Sequence, residues 1–215
     1  MNLMLELEET DQEWESQEYT EEFPDESAII GEEAIERAAA GIGRALVPPV
    51  IQVVQEFSSN PDARYRRAAV AALARLAEGT TDIFKKEYFE ASLPFFQTCL
   101  SDSSPRVQYQ AIQAIGQFAS LYPKYSVRMI DIYFDLLVDF MGNLNHCDRV
   151  RGHAVSALIN LCRPQDEEIE GNETHEEQLN SRLAPARIDH LLTVLCNTMQ
   201  TASIHIQSPC LLLLG

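Results

Sequence analysis

The 215-residue chain has no run of roughly eighteen consecutive apolar residues, so no membrane-spanning helix is expected. Residues 1–15 have neither a basic stretch nor an apolar core, so no secretory signal is read. The five cysteines, Cys99, Cys147, Cys162, Cys196 and Cys210, form no CxxC pair. That argues against a zinc ribbon or a disulfide framework. Free thiols without a signal suit the reducing cytosol or nucleus. No Gly-rich phosphate loop, GxSxG or HExxH is present, and Gly41-Ile42-Gly43 is too short to count as one. No alternating apolar pattern marks a β-hairpin. Paired carboxylates abound only in stretches expected to move, which cannot hold catalytic geometry. The chain is therefore read as non-enzymatic, with no cofactor and no metal. At 46% hydrophobic residues it is also too apolar to be wholly disordered.

Basic residues are scarce and unevenly placed. Thirty-three acids face sixteen Lys and Arg, for a formal charge of -17. Residues 1–33 contain no Lys or Arg, and neither do residues 166–177. The remainder is close to neutral, so two acidic segments sit on a slightly basic body. Strong net acidity argues against nucleic acid as a ligand. It favours Lys/Arg-rich protein segments as partners.

What the chain does contain is a repeat of about 42 residues. It begins at Asn60, Asp102 and Asn145. Counting from Tyr65, Val107 and Val150, the fourth residue on is Ala69, Ala111 or Ala154. The seventh is Ala72, Ala114 or Ala157, and the eighth is Leu73, Ile115 or Leu158. The eleventh is Leu76, Phe118 or Leu161. These offsets mark one face of an α-helix. The recurrent alanines are small enough for helices to approach from both sides. An apolar helix is predicted before each one, at 46–57, 88–100 and 129–141, with a further one at 188–199. Ser, Asn, Asp, Pro and Gly between the members of each pair supply stops and caps. Pro48 and Pro94 are placed near the starts of their helices, where a missing N–H costs little.

Two helices per period predict an all-α fold, an α-solenoid of HEAT repeats built from antiparallel pairs. Residues 1–27 are expected as a mobile acidic loop. Residues 28–163 are expected as one half repeat and three pairs, and 164–187 as an acidic inter-helix loop. Residues 188–200 then read as the first helix of an incomplete repeat, and 201–215 as an atypical tail. The half repeat at 28–43 has Glu32 and Glu33 early, suiting the helix dipole. With both ends broken, and Ile188, Leu191, Leu192, Leu195 and Met199 lacking a stacking partner, the chain reads as an interior slice of a longer protein.

The turn from Asp102 to Val107 resembles the HEAT pattern, in which Asp and Arg side chains form a ladder between repeats. Here the Asp position holds Asn60, Asp102 and Asn145, and the Arg position Arg66, Gln108 and Arg151. No repeat carries both, so weaker amide contacts are expected. The stretch from Gly31 (GEEAIERAAAGIGRALVPPV) followed by residues 60–79 (NPDARYRRAAVAALARLAEG) resembles the importin-β superfamily of karyopherins. Within it, the likeness is to central repeats of the importin-5 or karyopherin-β3 branch. Residues 104–117, HAVSALIN at 153–160 and the acidic 6–26 stretch with Trp14 continue it. The resemblance covers about residues 5–199 and fails at TASIHIQSPCLLLLG. It implies a nuclear transport receptor that binds basic cargo proteins, passes the nuclear pore on Phe-Gly nucleoporins and answers to Ran-GTP in the full-length protein. It also implies residence in cytoplasm, nucleus and pore, with no nucleic acid or membrane as partner. No Ran-binding residue is assigned. The alternative is a HEAT scaffold of another class, such as a phosphatase regulatory subunit.

The candidate cargo-binding residues are Glu13, Trp14, Glu15, Glu18, Glu21 and Glu22. Trp14 suits either a cation–π contact with a cargo Lys or Arg, or docking onto the repeats. Arg64, Arg66, Arg67, Arg106, Arg149 and Arg151 are expected to pair with acids of adjacent repeats rather than hold phosphate. His146, Cys147, His153 and Cys162 have no zinc spacing. Phe89, Phe95, Phe96, Phe134 and Phe140 are assigned to the core.

Overall fold

The computed structural model describes residues 1–7, 10–16, 26–162 and 183–214, and every regular element among them is helical. They fall into two compact units, 1–114 and 115–215. None of the described helices is long and apolar enough to cross a membrane.

In the first unit, a 3-10 turn at Asn2–Leu5 and a short helix, α1 (Asp11–Ser16), precede α2 (Glu26–Ile42). Gly43, at φ 66°, ends α2 in a left-handed conformation that a side chain would strain. Then come α3 (Val47–Ser58) and α4 (Ala63–Gly79), which pack as a hairpin. α3 opens with prolines in its first turn. The Asp62 carboxylate caps α4 by accepting from the Arg64 N–H at 2.9 Å. α4 also packs on α2. Contact is so close at Gly79 that a Cβ there would lie 2.5 Å from the Glu36 carbonyl and the Ala39 Cβ. α5 (Thr81–Glu87) and α6 (Phe89–Leu100) follow. Pro94 lies inside α6 rather than at its start, because the break at Tyr88 sets the first turn at Phe89. It has no N–H to donate to the turn before it. α7 (Pro105–Leu121) runs from this unit into the next.

In the second unit the end of α7 meets α9 (Asp148–Cys162) at Gly116, whose Cβ would lie 3.3 Å from the Ala157 Cα. α8 (Ser126–Gly142) packs on α9, and α10 (Pro185–Thr201) packs on α8. The segment expected as an atypical tail instead forms α11 (Ile204–Leu214), packed on α9 and α10. Burying Ile206 and Cys210 provides the driving force. Thus α10 has a second helix after it, contrary to the expectation, and Leu195 is buried. The helix also begins earlier than the expected 188.

The predicted face is the core. Ala69, Ala72, Leu73 and Leu76 are buried, as are Val107, Ala111, Ala114, Ile115 and Phe118. So are Val150, Ala154, Ala157, Leu158 and Leu161. Tyr65, at the first position, is half-buried and meets Phe57 edge-on at 4.8 Å. Phe89, Phe96, Phe134 and Phe140 are buried and Phe95 half-buried.

The turns repeat as well. Asn60 Oδ1 accepts from the Asp62 N–H at 2.9 Å, and Asp102 Oδ1 from the Ser104 N–H at 2.8 Å. In the third turn Asn143, not Asn145, does this, accepting from the Asn145 N–H at 3.0 Å. The α8–α9 connection is longer, which shifts the capping residue back. Six residues on, Arg66 and Gln108 each donate to their own turn, to Asn60 O at 2.9 Å and Asp102 O at 2.8 Å. The ladder is stronger than expected, because Arg66 also reaches Asp102.

Candidate functional site

Three surfaces have the geometry of a binding site. The first lies on the facing helices α2 and α4. Arg75 Nη1 lies 2.7 Å from Glu78 and 3.4 Å from Glu36, and its Nε 3.5 Å from Glu32. Arg67 Nη2 lies 3.0 Å from the other oxygen of Glu32. Burial pulls the Arg75 pKa down, but Glu78, Glu32 and Glu36 outweigh it and hold it above the ordinary value. Three carboxylates thus meet two guanidinium groups, leaving one negative charge. Glu36, with a side chain 41% exposed, presents that charge to solvent. Glu36 and Glu78 lie 42 residues apart, one repeat length.

The second surface is a groove of about 290 Å³ between α8 and α10. Val138, Gly142, Leu144 and Val194 supply its apolar walls, with Asn197 and Thr198 beside them. Leu144 is 67% exposed. Arg187 spans two carboxylates of α8, 3.1 Å from Asp131 and 3.2 Å from Asp135. These exposed pairs fix the register of the seam more than its stability.

The third is where residues 10–16 dock. Thr10 and Glu13 form a reciprocal cap: the Thr10 N–H donates to Glu13 Oε2 at 3.0 Å, and the Glu13 N–H to Thr10 Oγ1 at 3.3 Å. The Thr10 N–H and hydroxyl hold the Glu13 carboxyl below its usual range. Trp14, only 5% exposed, meets Tyr109 edge-on at 5.4 Å, with the Arg106 guanidinium 5.2 Å from its ring centroid.

Residues 63–118 match the HEAT-like repeat family. Over 202 residues the chain is 26% identical to importin subunit beta-3 of Saccharomyces cerevisiae, covering 93% of this chain and 17% of that protein. The chain is thus similar in sequence to an importin over most of its length and carries the HEAT-like repeat. Among solved structures it is similar to the karyopherin Kap121p bound to the SUMO protease Ulp1p, at 24% identity and a TM-score of 0.82. That likeness covers 99% of this chain and 20% of the other. Kap121p bound to RanGTP is similar with the same identity, coverage and TM-score. Kap121p bound to Nup53p matches at 24% identity and a TM-score of 0.81, again over 99% of this chain and 20% of that one. These likenesses show the fold, and this chain spans about a fifth of the length of such relatives.

The predicted site residues are only partly together. Glu13 and Glu15 are exposed on α1, while Trp14 between them is turned inward and already engages Arg106. It is not placed to stack on a cargo side chain, since docking on Tyr109 and Arg106 buries its ring. So 10–16 is a docked helix, not the loop expected for 1–27, and Met4 in the preceding turn is fully buried as well. Glu18, Glu21, Glu22 and most of the acidic 164–187 stretch lie outside the described residues. Arg66 and Arg67 pair as expected with acids of adjacent repeats, Asp102 and Glu32, whereas Arg106 pairs with Asp11 of the N-terminal segment and Arg151 with Asp148 of its own helix. Arg64 instead pairs with its own cap, Asp62.

His146 stacks on Phe140 at 4.3 Å, and burial, with Arg151 nearby, pulls its pKa down. Burial pushes the His153 pKa down to about 4 and the Cys99 thiol up to about 12. Cys162 is half-buried, unlike its equivalents Ala77 and Ala119. Among the described residues no three or more His, Cys, Asp or Glu are grouped to hold a metal ion. The carboxylates of α2 and α4 were missed by sequence reasoning. Their one signal was the 42-residue spacing of Glu36 and Glu78, which Ser120 does not continue in the next repeat.

Proposed function

We propose that this chain is a cargo-binding part of a nuclear transport receptor that shuttles between cytoplasm and nucleus through the pore. The observation that carries this is the Glu36–Glu78 pair, two carboxylates one repeat apart on packed helices, in a cluster with one uncompensated negative charge. An extended Lys/Arg-rich segment lying along such helices meets a carboxylate at each. The acids of 6–26 add long-range attraction, Glu13 and Glu15 among them. Each exposed ion pair contributes only about 0.2–1 kcal/mol, so binding by this chain is weak and salt-sensitive. The α8–α10 groove, apolar and between two first helices, suits a Phe ring of a Phe-Gly nucleoporin. The role is binding, not catalysis, and Ran-GTP control belongs to the whole receptor.

The reading rests on the likeness to an importin and on these two surfaces. It is tested by capture of the chain on immobilised Lys/Arg-rich peptide and, separately, on Phe-Gly peptide. Capture by both, with the basic peptide losing the chain when Glu36 and Glu78 are reversed to Lys, is the expected result. Capture by neither points to a scaffold of another HEAT class.

A further inference from the structure

The surface under residues 10–16 has the opposite charge from the one that would take basic cargo. Arg106 Nε lies 2.9 Å from Asp11 Oδ1, and its Nη2 donates to the Thr10 carbonyl at 3.2 Å. Its guanidinium lies over the indole of Trp14, whose edge contact is Tyr109. Nearby, Arg67 Nη1 donates to the Met4 carbonyl at 3.3 Å. One buried guanidinium therefore reads a carboxylate, a backbone carbonyl and an aromatic ring within five residues of chain. Beside them lies a pocket of about 270 Å³ lined by Leu7, Thr10, Asp62, Arg64, Arg67 and Arg106. Asp62 there is engaged by Arg64, and the side chain of Asp11 is 68% exposed. The occupant is a one-and-a-half-turn helix, pre-organised by its own Thr10–Glu13 cap. It is attached by an ion pair to an exposed carboxylate, one carbonyl bond and one indole. Such attachment is specific in chemistry and modest in strength.

We propose that the Arg64–Arg67–Arg106–Tyr109 face is a docking site for acidic peptides bearing an aromatic residue three positions after a carboxylate, and that residues 10–16 are its exchangeable occupant in cis. A partner segment of this chemistry binds by displacing residues 10–16. The site lies in the same unit as the α2–α4 cluster and shares Arg67 with it through Glu32, but it does not use Glu36 or Glu78. It therefore stands whether or not basic cargo binds there.

Trp14 is the sole tryptophan of the chain, so its emission reports the occupant directly. The full chain is titrated with a peptide of residues 7–16 in which the tryptophan is replaced by phenylalanine. Displacement is expected to shift Trp14 emission to the red with the helical circular dichroism unchanged. An unchanged emission at saturating peptide overturns the proposal. So does a shift that comes only with loss of helix. In a second measurement the fluorescein-labelled native 7–16 peptide is added to the wild-type chain, to Trp14→Ala and to Trp14→Ala/Arg106→Glu. Trp14→Ala, with its cis competitor weakened, is expected to bind about tenfold tighter than wild type. The added Arg106→Glu is expected to abolish binding. Failure of the folded Trp14→Ala chain to bind, or equal binding by the double variant, rejects the site. If Trp14→Ala does not fold, the emission titration on the wild-type chain decides alone.

Discussion

Arg66 holds Asp102 of the following turn through two parallel bonds, Nε to Oδ2 at 2.7 Å and Nη2 to Oδ1 at 2.8 Å. The same guanidinium caps its own turn at the Asn60 and Pro61 carbonyls. One side chain thus closes its own hairpin and ties it to the next. Burial pushes the Asp102 carboxyl up, but Arg66 and the Ser104 N–H outweigh it and keep it below its ordinary range.

Asp102→Asn removes the charge-assisted fork and leaves a half-buried guanidinium with only its turn carbonyls as full partners. The expected loss is about 1.5–3 kcal/mol of unfolding free energy, read from urea titration. Arg66→Ala is expected to cost no less, because the two turn carbonyls lose their donor as well.

Gly79→Ala places a methyl against the backbone of α2, where neither helix can yield by turning a side chain. About 1–3 kcal/mol of destabilisation is expected. Gly41→Ala, with nothing within 4 Å of the added carbon, is the control and is expected to be neutral or slightly stabilising.

Acid acts in two windows. His153 is held neutral, its pKa near 4 against the ordinary 6.5. The unfolded chain therefore takes up its proton first, so stability falls as pH drops from about 6.5 and levels below about 4. Asp102 has a depressed pKa, so its contribution is complete above the unfolded value and is lost as pH falls through the folded one, below 3.8. His153→Gln is expected to make the first window shallower, leaving the part due to His146, and Asp102→Asn the second, leaving the part due to Glu13 and Asp62, both read as midpoint of thermal unfolding against pH.

Leu144→Asp puts a charge on the apolar wall of the α8–α10 groove. Capture by Phe-Gly peptide is expected to weaken about tenfold, with thermal stability unchanged because the residue is exposed.

The helices were readable because their signal is local: Ala69 and Ala72, with their counterparts one and two repeats on, reveal both period and buried face. The rest depended on partners far along the chain. Nothing near Trp14 indicates that its neighbours are Arg106 and Tyr109, about ninety residues away. Asp102 finds its arginine in the preceding repeat, not its own, so scoring each repeat alone underrated the ladder. α11 was hidden because LLLL and Pro209 offer no polar face from which to read a helical period. Its contacts with α9 and α10 decide its structure. Glu36 and Glu78 stood at the repeat distance in plain view, but acids elsewhere in the chain were so numerous that the pair did not stand out.

The most direct measurement is the anisotropy of a labelled Lys/Arg-rich peptide titrated with the full chain at about 0.05 M and about 0.3 M salt, alongside Glu36→Lys/Glu78→Lys. The account predicts saturable binding at low salt, marked weakening at high salt, and loss in the folded double variant. Binding that ignores both salt and the reversed charges would contradict it.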